Sequence, residues 1–146
     1  MKLTFSATLL IFCLFVSSQV LALSESTASN GGDVGHLYKS LVTSGVEGDC
    51  GMGACDVTAK SVICEIKGLR KGVRSYSCGL IDGLNTQRIS IKGSRAKKLY
   101  VAIRKNGIRG NCSGNFCRVG ALDIGCTMNK HPHRRSYSCK IDRTEG

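Results

Sequence analysis

Four cysteines spaced C-x4-C-x8-C-x13-C (Cys50, Cys55, Cys64, Cys78) recur as C-x4-C-x8-C-x12-C (Cys112, Cys117, Cys126, Cys139). The first three are offset by 62 residues and the fourth by 61. Around the fourth cysteine the text itself repeats, Arg74-Ser75-Tyr76-Ser77-Cys78 against Arg135-Ser136-Tyr137-Ser138-Cys139, and Ile81-Asp82 and Ile141-Asp142 follow. Upstream, Leu37-Tyr38 aligns with Leu99-Tyr100, Leu41 with Ile103, Gly45-Val46 with Gly107-Ile108, and Gly48 with Gly110. The chain therefore holds two copies of one unit, over 36–82 and 98–146, with a basic connector at 83–97. Neither copy, at about 45 residues, can bury a core alone, so the two are expected to pack together.

Export follows from the first residues. Met1-Lys2 is a short positive start, Leu9–Val16 an unbroken apolar run, and Gln19–Ala22 a run a signal peptidase can read. A span this short cannot cross a bilayer, which takes about 20 residues, so a signal peptide over 1–22 is expected and a transmembrane anchor is not. Cleavage removes Cys13 and leaves eight of the nine cysteines. An even set in an exported chain reads as four disulfides. Two bonds within each unit are expected, with the three pairings open and inter-unit bonds as an alternative. Zinc is disfavoured because neither tetrad has the C-x2-C knuckle of structural zinc sites. With no Trp and few other aromatics, large core side chains are scarce, and disulfides compensate.

The residue pattern favours strands. Val62, Cys64 and Ile66 alternate inward before Gly68, Ile89 and Ile91 do the same, and Tyr100–Ile103 is a short apolar run before the turn pair Asn106-Gly107. Short helices fit only Asp33–Val42 or Asn115–Gly125. The expectation is a compact, disulfide-stabilised, β-rich domain with pseudo-twofold symmetry, a small α+β sandwich being the alternative. Residues 23–35, polar and glycine-bearing, read as a disordered leader.

Charge separates the copies. Residues 23–82 hold six Lys/Arg and seven Asp/Glu, whereas 83–146 hold fourteen and three. One basic block runs Arg88, Lys92, Arg95, Lys97, Lys98, Arg104, Lys105, Arg109, and a second includes Arg134 and Arg135 beside His131 and His133. The equivalent loop of the first copy, Gly68–Arg74, is also basic. Such a surface attracts an acidic polysaccharide, an anionic lipid surface or an acidic host protein face. Nucleic acid is disfavoured, because so few aromatics leave few stacking platforms. Lys97-Lys98 reads as two solvated charges, with a processing site as the alternative.

Catalytic constellations are missing from the text. His131 and His133 sit beside arginines without an orienting carboxylate, and His36 stands apart from them. A His-x-His metal site lacks an evident third ligand, and a ribonuclease-like pairing of His36 with His131 or His133 is a minor alternative. No G-x-S-x-G elbow or paired acids occur, and bonded cysteines cannot act as nucleophiles. No enzyme and no cofactor are expected. Tyr76 and Tyr137 read as rings packed over a disulfide, with paired ligand-stacking positions as the alternative. Asn111-Cys112-Ser113 fits the glycosylation pattern, but its middle residue is a half-cystine.

The stretch Gly107-Ile108-Arg109-Gly110-Asn111-Cys112-Ser113-Gly114-Asn115-Phe116-Cys117 is similar to the glycine-rich, two-cysteine segment of smut-fungus killer toxins. In type the chain resembles the small secreted cysteine-rich proteins of fungi, effectors and killer toxins. That resemblance implies a secreted virulence protein acting in host tissue. The leading expectation is a non-enzymatic effector that binds a host component. A membrane-active antimicrobial or killer toxin and a lectin-like or inhibitor module are the alternatives.

Overall fold

The computed structural model describes residues 26–30, 32–69 and 72–143. The expected signal peptide, 1–22, lies outside the described residues. The chain runs β1 (Ser26–Asn30), α1 (Gly32–Thr43), β2 (Gly48–Gly51), β3 (Ala54–Lys67), β4 (Ser75–Asp82), β5 (Arg88–Lys92), α2 (Ser94–Lys105), β6 (Asn111–Ser113), β7 (Phe116–Lys130) and β8 (Arg135–Arg143). The strands form one antiparallel sheet in the order β1-β8-β7-β3-β4-β5, with β2 paired to β3 and β6 to β7. The helices pack on each other and on the sheet. The result is a β-rich, disulfide-stabilised, two-layer arrangement.

The duplication is visible strand by strand, and it is larger than the text repeat. β1 and β5 stand 62 residues apart, as do α1 and α2. The stretch expected as a disordered leader thus contains β1 and the start of α1, and the connector contains β5 and the start of α2. Polar composition hides the strand at Ser26–Asn30, which pairs along one edge with β8. Each opening strand pairs outside its own unit: β1 with β8, β5 with β4. The helices cross over likewise, α1 lying over β8 and β7, and α2 over β4 and β3. The units are interlocked rather than merely adjacent.

At the centre β3 pairs with β7, with Ala54 opposite Asn129 and Lys67 opposite Phe116. A 62-residue shift carries the first of these pairs onto the second, so a pseudo-twofold axis passes between the two strands. Near that axis each strand switches its buried parity. Cys55, Val57 and Ala59 point inward, then Val62, Cys64 and Ile66; in β7 it is Cys117, Val119 and Ala121, then Ile124, Cys126 and Met128. The switches fall at Lys60/Ser61 and Leu122/Asp123, where the pairing with β4 and with β8 shifts register and Asp123 has a φ of 43°. These irregularities keep a long strand's apolar residues on one face.

The eight cysteines among the described residues are bonded as neighbours in sequence: Cys50–Cys55, Cys64–Cys78, Cys112–Cys117 and Cys126–Cys139. Each bond joins residues directly opposite one another on adjacent antiparallel strands. All four lie within a unit.

Helix α1 buries Val34, Leu37, Tyr38 and Leu41, an i, i+3, i+4, i+7 stripe, and α2 buries Ala96, Leu99, Tyr100 and Ile103 at the same positions. Tyr100–Ile103 was expected as a strand. Four apolar residues cannot decide between helix and strand, and the stripe reaching back to Ala96 is the deciding signal. Asn106-Gly107 accordingly ends a helix, the Asn106 and Gly107 amides donating to the Ala102 and Arg104 carbonyls. The repeated glycines Gly45 and Gly107 adopt φ of 99° and 87° just past the helices, where a side chain would be strained. The other helix candidate, Asn115–Gly125, lies in β7 from Phe116 onward, where its alternating burial and two glycines suit a strand better.

The match of Ile81-Asp82 to Ile141-Asp142 is out of register by one, because the second copy is one residue shorter before its last cysteine. Leu80 and Ile141 are the buried counterparts. The tyrosines of the repeated pentapeptide pack against the helix that crosses over from the other unit. Tyr76 meets Tyr100 with ring centroids 5.9 Å apart, and Tyr137 meets Tyr38 at 5.4 Å.

Candidate anion-binding groove

Antiparallel packing sets the start of α1 against the end of α2. The Asn106 side-chain amide donates to the Asp33 carbonyl at 3.1 Å and to the Ala102 carbonyl at 2.8 Å. The outer seam between the helices is an open groove of about 900 Å³. From α1 come His36, Lys39, Ser40 and Thr43, one face at i, i+3, i+4 and i+7. From α2 come Arg95, Lys97, Lys98 and Lys105, with Val101 and Ala102 as apolar lining. Five cations thus face one concavity.

Lys105 is paired with Asp33 at 3.5 Å, but both side chains are more than half exposed, so the pair contributes little. The pseudo-twofold relation sharpens the asymmetry. Arg95, Lys98 and Lys105 occupy the positions held in α1 by Asp33, His36 and Thr43. The fold is satisfied by either set, so packing does not require these positive charges.

The basic residues singled out from the sequence divide among several surfaces. Arg95, Lys97, Lys98 and Lys105 converge in the groove. Lys92 lies with Lys97 in an adjoining trough beside Tyr76. Arg88 and Arg109 line two clefts along the sheet strands that share Ser61 and Ile63, with Ile81 and with Arg118 respectively. Arg104 is exposed on α2, its guanidinium beside Gly110. Arg134 and Arg135 belong to the β7–β8 hairpin with His131 and His133. Lys39 was missed, and His36 was weighed only for a pairing with His131 or His133, because they belong to the copy with no excess of positive charge. The spacing of His36, Lys39, Ser40 and Thr43 on an expected short helix was the available signal.

His36 therefore lines a different cleft from His131 and His133. Among the described residues no three His, Cys, Asp or Glu side chains are grouped to hold a metal ion. Asp82 is the one fully buried carboxylate among them, and it is occupied structurally. It accepts from the backbone amides of Glu47 and Leu84 at 2.7 Å each and of Asn85 at 3.3 Å. Burial alone would raise its pKa, but these three donors outweigh burial and hold it below the usual carboxylate range. Tyr38 shifts the other way, because burial and the neighbouring Tyr137 push its hydroxyl pKa up.

Fold and groove together define a class: a disulfide-stabilised two-layer domain of two interlocked units, with a cationic seam between its helices. Comparison with family models, with curated proteins and with solved structures finds no match to this chain.

Proposed function

We propose that this is a secreted, non-enzymatic effector-type protein that binds an anionic host component through the interhelix groove. The observation that carries this reading is the convergence of Lys39, Arg95, Lys97, Lys98 and Lys105 on one open concavity. Cations on two helices held by a shared core are spaced in advance, so an anion meets them without the cost of ordering a loop. Four disulfides suit an oxidising compartment, and among the described residues no helix is long and apolar enough to cross a membrane. The bonded cysteines and the saturated Asp82 leave those groups without a catalytic task.

Charge reversal tests the reading. Replacing Lys39, Arg95, Lys98 and Lys105 by Glu is expected to abolish retention on immobilised sulfated polysaccharide and capture of host surface components at about 0.15 M salt. Thermal unfolding should stay near that of the parent protein. Unchanged retention by a folded variant would show that the groove is only a solvated face. Strong dye release from anionic vesicles by the parent protein would instead favour membrane action.

A further inference from the structure

Beside the groove, and sharing Ser94, Lys97 and Val101 with it, lies an open trough of about 1060 Å³ between β4, β5 and the start of α2. Lys67, Arg74, Lys92 and Lys97 line it, and Tyr76 contributes its ring, with the Lys97 ammonium 5.9 Å from the ring centroid. Ser75, Ser77 and Ser94 add hydroxyls to the walls.

The duplication supplies an internal comparison. The pseudo-twofold counterpart of this trough keeps Arg135, Ser136, Tyr137 and Ser138 for Arg74, Ser75, Tyr76 and Ser77. It differs at the lysines. Lys67 is matched by Asn129, Lys92 by Asn30 and Lys97 by Gly35, while Lys39 takes the place of Val101. In that half the ring of Tyr137 lies against Gly35, where an added Cβ would stand 3.1 Å from it. One framework thus folds with and without Lys67 and Lys92, while each tyrosine keeps an ammonium over its ring, Lys97 over Tyr76 and Lys39 at 5.8 Å from Tyr137.

We infer that the trough is a second binding subsite, taking a carboxylated or sulfated sugar ring, and that trough and groove together hold one extended acidic polysaccharide. This rests on the anionic-partner reading of the groove and gives that partner a chemical class. Lys97 stands at the junction, so a ligand can pass from one cleft to the other without leaving positive potential. The two clefts follow α2 from its first turn to Lys105, a rise of about 16 Å. A single small anion reaches only part of that length. Serine hydroxyls and one aromatic ring suit a hydroxyl-bearing ring, whereas single-stranded nucleic acid calls for several stacking platforms. An interfacial lipid site calls for a broad apolar face, and Val101, though exposed, is the one large aliphatic side chain lining the two clefts.

Titration of heparin-derived dodecasaccharide and tetrasaccharide at about 0.15 M salt tests the inference. Lys67→Asn with Lys92→Asn copies the counterpart trough, so folding should be retained. This variant is expected to weaken dodecasaccharide binding roughly fivefold to tenfold and to narrow the gap between long and short chains. Arg88→Gln with Arg109→Gln removes equal charge elsewhere and should change affinity less than about twofold. Equal losses in the two variants would overturn the subsite, leaving only general attraction. Loss in a Lys39→Gln, Lys98→Gln, Lys105→Gln variant without loss in the trough variant would retain the groove and remove the trough. Binding of a single-stranded oligonucleotide or of phosphatidylglycerol vesicles in place of the saccharide would overturn the ligand class. Failure to bind any of these anions would overturn the underlying anionic-partner reading itself.

Discussion

Replacing Asp82 by Asn should cost more stability than its single lost charge suggests, and should remove a specific acid sensitivity. One carboxylate oxygen accepts from the Glu47 amide and the other from the Leu84 and Asn85 amides. The carboxylate thereby ties the α1–β2 loop to the β4–β5 turn. Asparagine keeps one acceptor oxygen, and its NH2 group must face one of those donors. A hydrogen bond to a charged group contributes about 1.5–3 kcal/mol, and a buried amide left unpaired costs about 1–3 kcal/mol. Allowing for overlap, Asp82→Asn should destabilise by about 2–4 kcal/mol in urea unfolding at neutral pH. The sign of the pH effect is fixed by the lowered pKa. Above the ordinary carboxylate range the group is ionised in both states, and its contribution is fully present. As pH falls through that range the unfolded chain takes up the proton first, so stability drops until the folded carboxylate is protonated too. Urea midpoints between about pH 2 and pH 6 should show this slope in the parent and a shallower one in the variant. A variant as stable as the parent at neutral pH, with the same slope, would refute the assignment.

Two further predictions compare related positions within the molecule. Removing Cys64–Cys78 (separation 14) should cost about 3 kcal/mol, against about 2 kcal/mol for Cys50–Cys55 (separation 5), by urea unfolding of the Ala pairs. A larger loss from the shorter loop would show that chain entropy does not dominate. A Cβ at Gly110 would lie 2.9 Å from the Val119 side chain, whereas at Gly48 it would lie 3.3 Å from Val57. Gly110→Ala should therefore destabilise by about 1–2 kcal/mol and Gly48→Ala by less, with thermal melts as the measurement.

The core was legible because the chain aligns with itself. Leu37 with Leu99, Leu41 with Ile103, Val57 with Val119, Val62 with Ile124 and Ile66 with Met128 are all buried in both copies. The repeated glycines Gly45 and Gly107 were visible as chain breaks, but only the structure makes them helix ends. What escaped was non-local. Ser26–Asn30 has no apolar pattern of its own, and only its partner β8 makes it a strand. Tyr100–Ile103 is too short to declare a period until α1 supplies the matching stripe. The groove was half legible: a linear count of charge found the α2 cations but not Lys39, which the fold brings across from the other copy. Disulfide pairing was open until the register set each cysteine opposite its neighbour.

Fusion of the two units also bears on why their charges differ. In a twofold homodimer of such a unit, every lysine would appear twice, once on each side of the axis. An interhelix seam lined by Arg95, Lys97, Lys98 and Lys105 from both helices would then bring eight cations together instead of the five that line it here. Like charges that close destabilise the compact state. Joining the copies in one chain lifts that restriction, since each position can change independently of its counterpart. The core positions keep their apolar character because both halves share one interior. The outer positions of α2, β5 and the end of β3 do not face that constraint, and there the lysines accumulate on one side. A single chain can therefore present a one-sided cationic track on a nearly symmetric frame, the arrangement an asymmetric, extended anion requires.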